Sequence, residues 1–251
     1  MKIAVITGAS SGIGAEFVSQ IDKSCNDLEQ IWAISRTVGE TQFPPTKAEI
    51  IRIPLDLTKE SAKQTLKEKL KEEMPKIKIL VNSAGFGKMG RFDSLSIELQ
   101  RDMVECNVNG LMTMCHLCIP YMVKGGYMIN MASAAAFLPQ MRFAVYAASK
   151  AFVLSLSRAL NYELRDRKIS VTAVCPGPVK TPFFDIAEEE GYTLFIKKFF
   201  MVKTEKVVSY ALQCAKARRQ TSVYGIPMKA MQLIGKIFPH RLVLEIYDKM
   251  V

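Results

Sequence analysis

The chain has 251 residues, of which 49% are hydrophobic and 23% are charged, and its formal net charge at pH 7 is +10. This composition excludes a disordered chain, and no apolar run approaches the roughly 20 residues that a membrane-spanning helix needs. Residues 191–251 hold eleven Lys and Arg against three Asp and Glu, whereas residues 1–190 hold 23 against 21. The excess positive charge therefore belongs to the C-terminal quarter.

Short apolar runs alternate with amphipathic segments along the chain. The predicted strands are Ile3–Ile6, Ile31–Ile34, Ile50–Ile53, Ile77–Val81, Tyr127–Met131, Ser170–Val174 and Ser222–Tyr224. The predicted helices are Gly12–Ile21, Lys59–Glu73, Ile97–Val123, Tyr146–Arg167 and Thr204–Arg218. This order is typical of an α/β protein with a parallel sheet covered by helices on both faces. We predict a single doubly wound domain over residues 1–251.

The first predicted strand leads into a glycine-rich turn and then a helix. The turn contains Gly8, Ser10, Ser11, Gly12, Ile13 and Gly14. Glycines let the backbone approach a phosphate closely, and the helix N-terminus offers N–H donors and the positive end of its dipole. The spacing is GxxxGxG rather than the common GxGxxG. Its place after the first strand favours dinucleotide binding over a plain strand-to-helix turn.

The end of the second predicted strand indicates which dinucleotide is preferred. An acidic residue at this point commonly holds the ribose 2′-hydroxyl of NAD, but this chain has Ser35 and Arg36 there. The planar guanidinium of an arginine matches a 2′-phosphate, and the serine hydroxyl offers another donor. We therefore predict NADP(H) as the cofactor; the alternative is an ordinary surface arginine with mixed cofactor preference.

The N-terminus and the cysteines indicate the compartment. The strand at residues 1–6 runs straight into Gly8 and is too short for the core of a secretory signal peptide. The six cysteines are scattered, which is typical of reduced thiols in a cytosolic protein. Cys115 and Cys118 have CxxC spacing, but no second ligand pair accompanies them, so we expect buried helix side chains and no metal. We predict a cytoplasmic protein.

A serine, a tyrosine and a lysine carry the predicted chemistry. Ser133 follows the fifth strand, and Tyr146 and Lys150 are separated by four residues on a predicted helix, so they share one helix face. An ammonium close to a phenol favours the phenolate, so we expect a lowered pKa for Tyr146. Such a tyrosine exchanges a proton with an alcohol or carbonyl, and a serine hydroxyl holds the same oxygen.

Taken together, these motifs resemble the short-chain dehydrogenase/reductase superfamily over roughly residues 1–226. They occur in the family's order: Thr7–Gly14, Asp56 with Leu57, Asn82 to Gly85, Asn107, Ser133, Tyr146 with Lys150, Pro176 with Gly177, and Thr181. The resemblance implies a Rossmann-type fold and an oxidoreductase. Ser83 and Ala132 stand where the family often has Asn and Ser.

The resemblance also implies a role for each matching residue. Tyr146 is the acid/base, and Lys150 lowers its pKa and holds the nicotinamide ribose. Ser133 positions the substrate oxygen, and Asn107 holds a water that links Lys150 to solvent. The remaining implied cofactor contacts are Asp56 and Leu57 at the adenine, Asn82, Ala84 and Gly85 along the cofactor, and Pro176, Gly177, Val179 and Thr181 at the nicotinamide amide.

The residues expected on the substrate side are large and apolar. The candidates are Phe86, Ala135, Phe137, Met141, Phe143, Phe183 and Phe184. An aromatic and methionine-rich wall favours a bulky apolar substrate, and hydroxysteroids and long-chain 3-oxoacyl groups are the leading classes. The alternative is that these side chains are core and that the substrate is a small ketone. The segment 178–203 has the length and composition of a loop over a site.

The C-terminal segment 227–251 is basic and amphipathic. Such a segment packs against its own or a partner subunit, lies on an anionic membrane surface, or contacts an acidic carrier protein. No nucleic-acid module is visible, so we predict no nucleic-acid partner. The resemblance implies a homodimer or homotetramer, joined through the helices at 97–123 and 146–167.

Three functions are compatible with these residues. The first is an NADP(H)-dependent dehydrogenase or reductase acting on a lipophilic alcohol or ketone. The second is a 3-oxoacyl-(acyl carrier protein) reductase, which would prefer carrier-bound chains. The third is an NADP-sensing binding protein without turnover, which degenerate catalytic residues would favour; here Asn107, Ser133, Tyr146 and Lys150 are all present.

Overall fold

A computed structural model of the chain describes residues 1–183, 187 and 201–248. Across these residues, seven parallel strands form one sheet in the order β3-β2-β1-β4-β5-β6-β7. The strands are β1 Lys2–Thr7, β2 Gln30–Ser35, β3 Glu49–Pro54, β4 Lys76–Asn82, β5 Met122–Met131, β6 Ser170–Val174 and β7 Thr221–Ser222. The described helices are α1 Gly12–Ser24, α2 Glu60–Glu73, α3 Ile97–Val104, α4 Leu111–Cys118, α5 Ala144–Glu163, α6 Thr204–Lys216, α7 Ile226–Ile237 and α8 His240–Asp248. The predicted α/β fold with a parallel sheet is confirmed.

The two faces of the sheet bury separate apolar cores. Alternate residues of β1 point to opposite faces, so Ile3 and Val5 belong to one core and Ala4 and Ile6 to the other. The first core also contains side chains of α2, α4 and α5, and the second contains side chains of α1 and α6. Strands that are apolar on both faces are therefore stable only between two helical layers, as the sequence predicted.

The strand order places a crevice at the middle of the sheet. The chain builds β1, β2 and β3 outward in one direction and then returns to add β4 on the other side of β1. The connections that leave β1 and β4 diverge at this point, and a crevice opens at the carboxyl ends of these strands. The glycine turn after β1 lies at this edge.

The longest predicted helix is interrupted in the structure. The prediction of one helix over Ile97–Val123 was wrong: α3 ends at Val104, a π-helical turn covers Glu105–Gly110, and α4 ends at Cys118. A 3₁₀ turn over Ile119–Tyr121 contains Pro120, and β5 begins at Met122. The sequence prediction merged these segments because α3, the π turn and α4 follow one another directly along the chain, with no proline before Pro120.

The C-terminal part of the chain forms two helices, α7 and α8. In the described ranges, no helix is both long enough and apolar enough to cross a membrane. The predicted loop 178–203 and the tail are described only in part, since residues 184–186, 188–200 and 249–251 lie outside the described residues. Val179 pairs with Val202 in an isolated parallel bridge, which joins the two ends of that loop.

Candidate active site

A cleft of about 560 Å³ lies at the carboxyl edge of the sheet. Most of the predicted cofactor residues line it: Gly8, Ser10, Ser11, Gly12, Ile13, Gly14, Ser35, Arg36, Asp56, Leu57, Ala84, Gly85, Pro176, Gly177, Val179 and Thr181. Ser133, Tyr146 and Lys150 line the same cleft. Residues as far apart in sequence as Gly8 and Thr181 therefore line one site.

The glycine turn has the backbone geometry that close contact with a phosphate requires. Gly8 and Gly12 have φ of +67° and +54°, a region that L side chains rarely adopt. A Cβ added to Gly14 would lie 2.0 Å from the carbonyl oxygen of Gly8, so only glycine allows α1 to start this close to the turn. The N-terminus of α1 lies at the cleft, and its N–H groups fit a pyrophosphate.

A hydroxyl group joins this turn to the turn after β4. Thr7 Oγ1 accepts hydrogen bonds from the backbone N–H groups of Ser83 and Ala84, at 3.0 and 3.1 Å. A Cβ on Gly8 would lie 2.8 Å from the nitrogen of Ala84, so the two turns are in close contact. Thr7 thus satisfies the N–H groups of Ser83 and Ala84 without help from the Ser83 side chain.

One end of the cleft is polar and positively charged. Arg36 lies there beside Asp56, which accepts hydrogen bonds from the N–H and hydroxyl of Thr58 at 3.0 and 2.8 Å. Burial raises the pKa of Asp56, but these bonds and the charge of Arg36 outweigh it and hold the pKa below its usual value. Ser35 Oγ is buried and has no hydrogen-bond partner among the described residues. An unpaired hydroxyl and a guanidinium that line the same part of a cleft fit a phosphate or ribose group of a dinucleotide.

The other end of the cleft holds the tyrosine and the lysine of α5. The ring of Tyr146 stacks on Phe143 with centroids 4.2 Å apart, and the ring of Phe183 lies 5.5 Å away on a tilt. Lys150 Nζ lies 5.6 Å from the centre of the Tyr146 ring and donates a hydrogen bond to the carbonyl oxygen of Met131 at 2.9 Å. One helical turn therefore brings the ammonium to the ring, as the spacing predicted.

The pKa values in this structure differ from the sequence-based expectation. Burial raises the pKa of Tyr146 to about 12, with a hydrogen bond to Ser133 acting in the opposite direction. Burial also lowers the pKa of Lys150 to about 8. The expected lowering of the Tyr146 pKa is therefore corrected: burial of the phenol opposes its ionisation more strongly than the hydrogen bond to Ser133 favours it.

Asn107 lies behind the cleft, on the π turn. Its Oδ1 accepts from the N–H of Phe86 at 3.0 Å, and its Nδ2 donates to the Phe86 carbonyl at 2.8 Å and to Ser149 Oγ at 3.1 Å. Ser149 in turn donates to the carbonyl of Tyr146 at 2.7 Å. The side chain of Asn107 therefore connects the loop after β4 to α5 and does not itself line the cleft.

Asn82 lies below the cleft and does not line it. Its Nδ2 donates to Asn130 Oδ1 at 2.8 Å, and Asn130 donates to Ser157 Oγ at 3.0 Å. Asn82 and Asn130 are paired across β4 and β5, so both side chains point to the same buried face. The interpretation of the Asn82 side chain as a cofactor contact is thus corrected. Sequence analysis missed Asn130 and Ser157, although an asparagine in an apolar strand is a signal of a buried polar contact.

The predicted substrate residues divide into three groups. Phe86, Ala135, Phe143 and Phe183 line the cleft. Phe137 packs on the core under α7, where its carbonyl oxygen would lie 2.5 Å from a Cβ on Gly235. Neither Phe137 nor Met141 lines the cleft, although Gln140, the residue before Met141, does. Phe184 lies outside the described residues.

The structure adds two methionines of α7 to the wall of the cleft. Met228 and Met231 line it, and Met228 is buried against Gly177, where a Cβ would lie 2.5 Å from its sulfur. The amphipathic pattern of the tail included Met231 but could not show which surface it covers. Cys115 and Cys118 are buried in the core, as predicted from sequence.

Comparison with known proteins agrees with this geometry. A family profile described as short chain dehydrogenase matches residues 2–190. Hydroxysteroid dehydrogenase-like protein 1 of Gallus gallus is 30% identical over 233 residues, which cover 88% of this chain and 67% of the relative. A 3-ketoacyl-(acyl-carrier-protein) reductase from Brucella melitensis, complexed with NADH, is 26% identical with a TM-score of 0.72, covering 88% of this chain and 94% of that one. A short-chain dehydrogenase from Sphingobium yanoikuyae, in complex with NADPH, has a TM-score of 0.78 at 24% identity, with 94% and 93% covered.

Proposed function

The chain belongs to the short-chain dehydrogenase family, and on that premise we propose that it interconverts a secondary alcohol and a ketone on a bulky apolar substrate with NADP(H). The observation that carries the proposal is the meeting of Ser133, Tyr146 and Lys150 at the apolar end of a cleft whose other end contains Arg36. A proton donor and a phosphate-binding cation thus lie at opposite ends of one dinucleotide-sized cleft.

The chain supplies the proton chemistry of this reaction. When bound, the nicotinamide ring supplies or accepts the hydride. Tyr146 holds the proton that the substrate oxygen takes up in reduction, and a pKa of about 12 keeps the phenol protonated at neutral pH. The Ser133 hydroxyl donates a hydrogen bond to the same oxygen, which stabilises the negative charge that develops there.

Lys150 assists by its charge. A pKa of about 8 leaves most of its ammonium protonated at pH 7. A positive charge one helical turn from Tyr146 stabilises the phenolate that forms when the proton is transferred. The hydrogen bond to the Met131 carbonyl anchors the ammonium at the end of β5, so the charge stays in place without solvent.

The preference for NADP(H) rests on the polar end of the cleft. Arg36 and the unpaired hydroxyl of Ser35 lie where β2 ends. An arginine and a hydroxyl are suited to a 2′-phosphate, whereas a ribose 2′-hydroxyl is commonly held by a carboxylate. Solved relatives carry NADPH in one case and NADH in another, so this preference rests on the chain's own residues.

The size and polarity of the wall favour a large apolar substrate. Phe86, Phe143 and Phe183 pack with Tyr146, and the two methionines of α7 line the same cleft. A relative named for hydroxysteroid dehydrogenases supports a hydroxysteroid-like substrate. A second candidate is reduction of long-chain 3-oxoacyl groups on acyl carrier protein, which the likeness to a 3-ketoacyl reductase and the basic C-terminal quarter both favour.

The decisive test removes the phenol oxygen of Tyr146. With NADPH and a panel of steroids, 3-oxoacyl thioesters and bulky ketones, Tyr146→Phe is expected to lower kcat by at least about 10³-fold, because the proton donor is lost. Phe has nearly the same shape, so NADPH binding measured by fluorescence should change little. Wild-type turnover in the variant would overturn the mechanism; NADPH binding without turnover of any panel compound by the wild type would favour a binding protein.

A further inference from the structure

Helix α7 has apolar side chains on two opposite faces. Its inner face carries Met228 and Met231 on the cleft and Gly235 against the 3₁₀ turn at Phe137. Its outer face carries Ile226, Leu233 and Ile237, which are 83%, 58% and 63% exposed. At 100° per residue these three fall within about 40° of one another and point away from Met228. A surface helix normally presents polar residues to water on that side.

Positive charges flank this outer apolar stripe. Lys229 and Lys236 are seven residues apart and lie along one edge of the stripe, and Lys229 also reaches towards the ring of Tyr210, at 5.9 Å from its centre. The stripe continues into the next turn and α8 through the exposed Phe238 and Leu242, with Arg241 between them in sequence. No Asp or Glu occurs between residues 206 and 244.

We propose that the outer face of α7 and the start of α8 dock on the surface of a bilayer that contains anionic phospholipid. The apolar stripe would enter the boundary between headgroups and acyl chains, and the lysines would meet lipid phosphates. A helix of 12 residues is about 18 Å long, so it lies in the plane of the membrane and does not cross it.

The charges and the exposed apolar area of this face together favour lipid over the two competing occupants, a second copy of the chain and an acidic carrier protein. A second copy packed through this face would bring Lys229 and Lys236 close to the same lysines with no carboxylate on the helix to neutralise them. An acidic carrier protein would satisfy the lysines, but it would leave the exposed Ile226, Leu233 and Ile237 without an apolar partner. An anionic bilayer satisfies both parts of the surface at once.

The outer face of α7 lies on the side of the helix opposite to the cleft. The same helix contributes Met228 and Met231 to the wall of the cleft from its opposite side. Docking through α7 would therefore hold the apolar end of the cleft close to the lipid. The docking itself does not depend on the proposed reaction, because the face, its charges and its exposure are independent of the catalytic residues.

The test is sedimentation of the full-length protein with vesicles. We expect binding to vesicles of phosphatidylglycerol and phosphatidylcholine in equal parts, weakened by added salt, and little binding to phosphatidylcholine alone. Leu233→Ser with Ile237→Ser, and separately Lys229→Glu with Lys236→Glu, should each weaken binding at least about tenfold. These positions are exposed, so the circular dichroism spectrum and NADPH binding should stay unchanged.

Matched controls make the outcome decisive. Lys67→Glu with Lys71→Glu on the exposed side of α2 changes the net charge equally, and Phe92→Ser removes an exposed apolar side chain elsewhere; both should bind like the wild type. The proposal is overturned if the wild type does not bind anionic vesicles, or if the α2 pair weakens binding as much as the α7 pair. It is also overturned if the wild type fails to bind while Leu233→Ser with Ile237→Ser changes the sedimentation coefficient, which would assign the face to a contact between copies.

Discussion

The ammonium of Lys150 lies in a place where a charge destabilises the folded protein. The residue is 5% exposed, and burial lowers its pKa, which means that the folded protein disfavours the protonated form. The hydrogen bond to the Met131 carbonyl compensates only part of the lost hydration, because Lys150 has no carboxylate among its charged neighbours in the described part of the chain. A charge of this kind is expected where it serves the reaction, at the expense of stability.

This imbalance predicts that Lys150→Met stabilises the protein at pH 7, by about 1–3 kcal/mol, while turnover is lost. The lysine has a pKa of about 8 in the folded chain and an ordinary value of 10.5, so the unfolded chain binds more protons between these two values. The full loss of folding stability caused by the buried charge is therefore present below pH 8. The free energy of unfolding of the wild type rises as the pH increases from 8 towards 10.5.

Urea unfolding at pH 7 and pH 10 measures both effects. The difference in the free energy of unfolding between variant and wild type should shrink at the higher pH. A wild type at least as stable as Lys150→Met at pH 7 would contradict the assignment of the lysine as a buried charge.

A second prediction at the scale of residues concerns Arg36 and the preference for NADPH over NADH. Arg36→Asp removes the group suited to a 2′-phosphate and introduces one suited to a 2′-hydroxyl, so the ratio of kcat/KM for NADPH over NADH should fall by at least about tenfold. Arg101→Asp, at an exposed position of α3, is the matched control for net charge. Unchanged selectivity in Arg36→Asp would remove this residue from the account of the cofactor.

At the scale of elements, helix α5 is held in place by polar contacts as well as by packing. Asn82, Asn130 and Ser157 connect β4, β5 and α5 in one buried series, and Ser157 donates to the Val153 carbonyl at 2.6 Å. A second series runs from Asn107 on the π turn through Ser149 to the Tyr146 carbonyl. Hydrogen bonds are directional, so they fix the position of α5 along its axis more strictly than apolar packing does. The position of Tyr146 at the cleft is fixed with it.

The first series predicts a specific loss of stability. Ser157→Ala leaves Asn130 Nδ2 buried without its acceptor, so the free energy of unfolding should fall by about 1–3 kcal/mol. Ser155→Ala, two residues earlier on the exposed side of α5, makes the same chemical change and should stay within about 0.5 kcal/mol of the wild type. Chemical denaturation of both variants measures the difference, and equal stabilities would show that the buried contact contributes nothing.

At the scale of the whole molecule, two groups stand out among the exposed apolar side chains of the described residues. One is the outer face of α7, and the other contains Met112 of α4 with Phe152 and Tyr162 of α5, which are all exposed. The second region lies on the helices through which family resemblance implies a homodimer or homotetramer. Exposed apolar side chains on these two helices are suited to such a contact.

If these helices join the subunits, charged substitutions on them are expected to lower the mass of the particle in solution. Met112→Glu with Phe152→Glu should convert an oligomer to a monomer in sedimentation velocity, because each interface would then bury carboxylates without partners. Leu233→Ser with Ile237→Ser should leave the mass unchanged and serves as the control. A wild type that sediments as a monomer at micromolar concentration would contradict the predicted assembly.

Local patterns in the sequence were sufficient to predict the fold class and most of the residues that line the polar end and the glycine turn of the cleft. The turn from Gly8 to Gly14, the end of β2 at Arg36 and the spacing of Tyr146 and Lys150 are short-range features. Backbone geometry and helical period act over a few residues, so such features can be interpreted without tertiary information.

The tertiary structure alone decided the properties that depend on burial and on distant partners. The raised pKa of Tyr146 comes from rings contributed by Phe143 and Phe183, and Asn82 was placed in the core by its partner Asn130 on another strand. The tail pattern was visible in sequence, but only the fold showed that Met228 and Met231 face the cleft while Leu233 faces outward. Solvent exclusion and contacts between distant segments arise from the packed chain, and no local pattern of residues contains them.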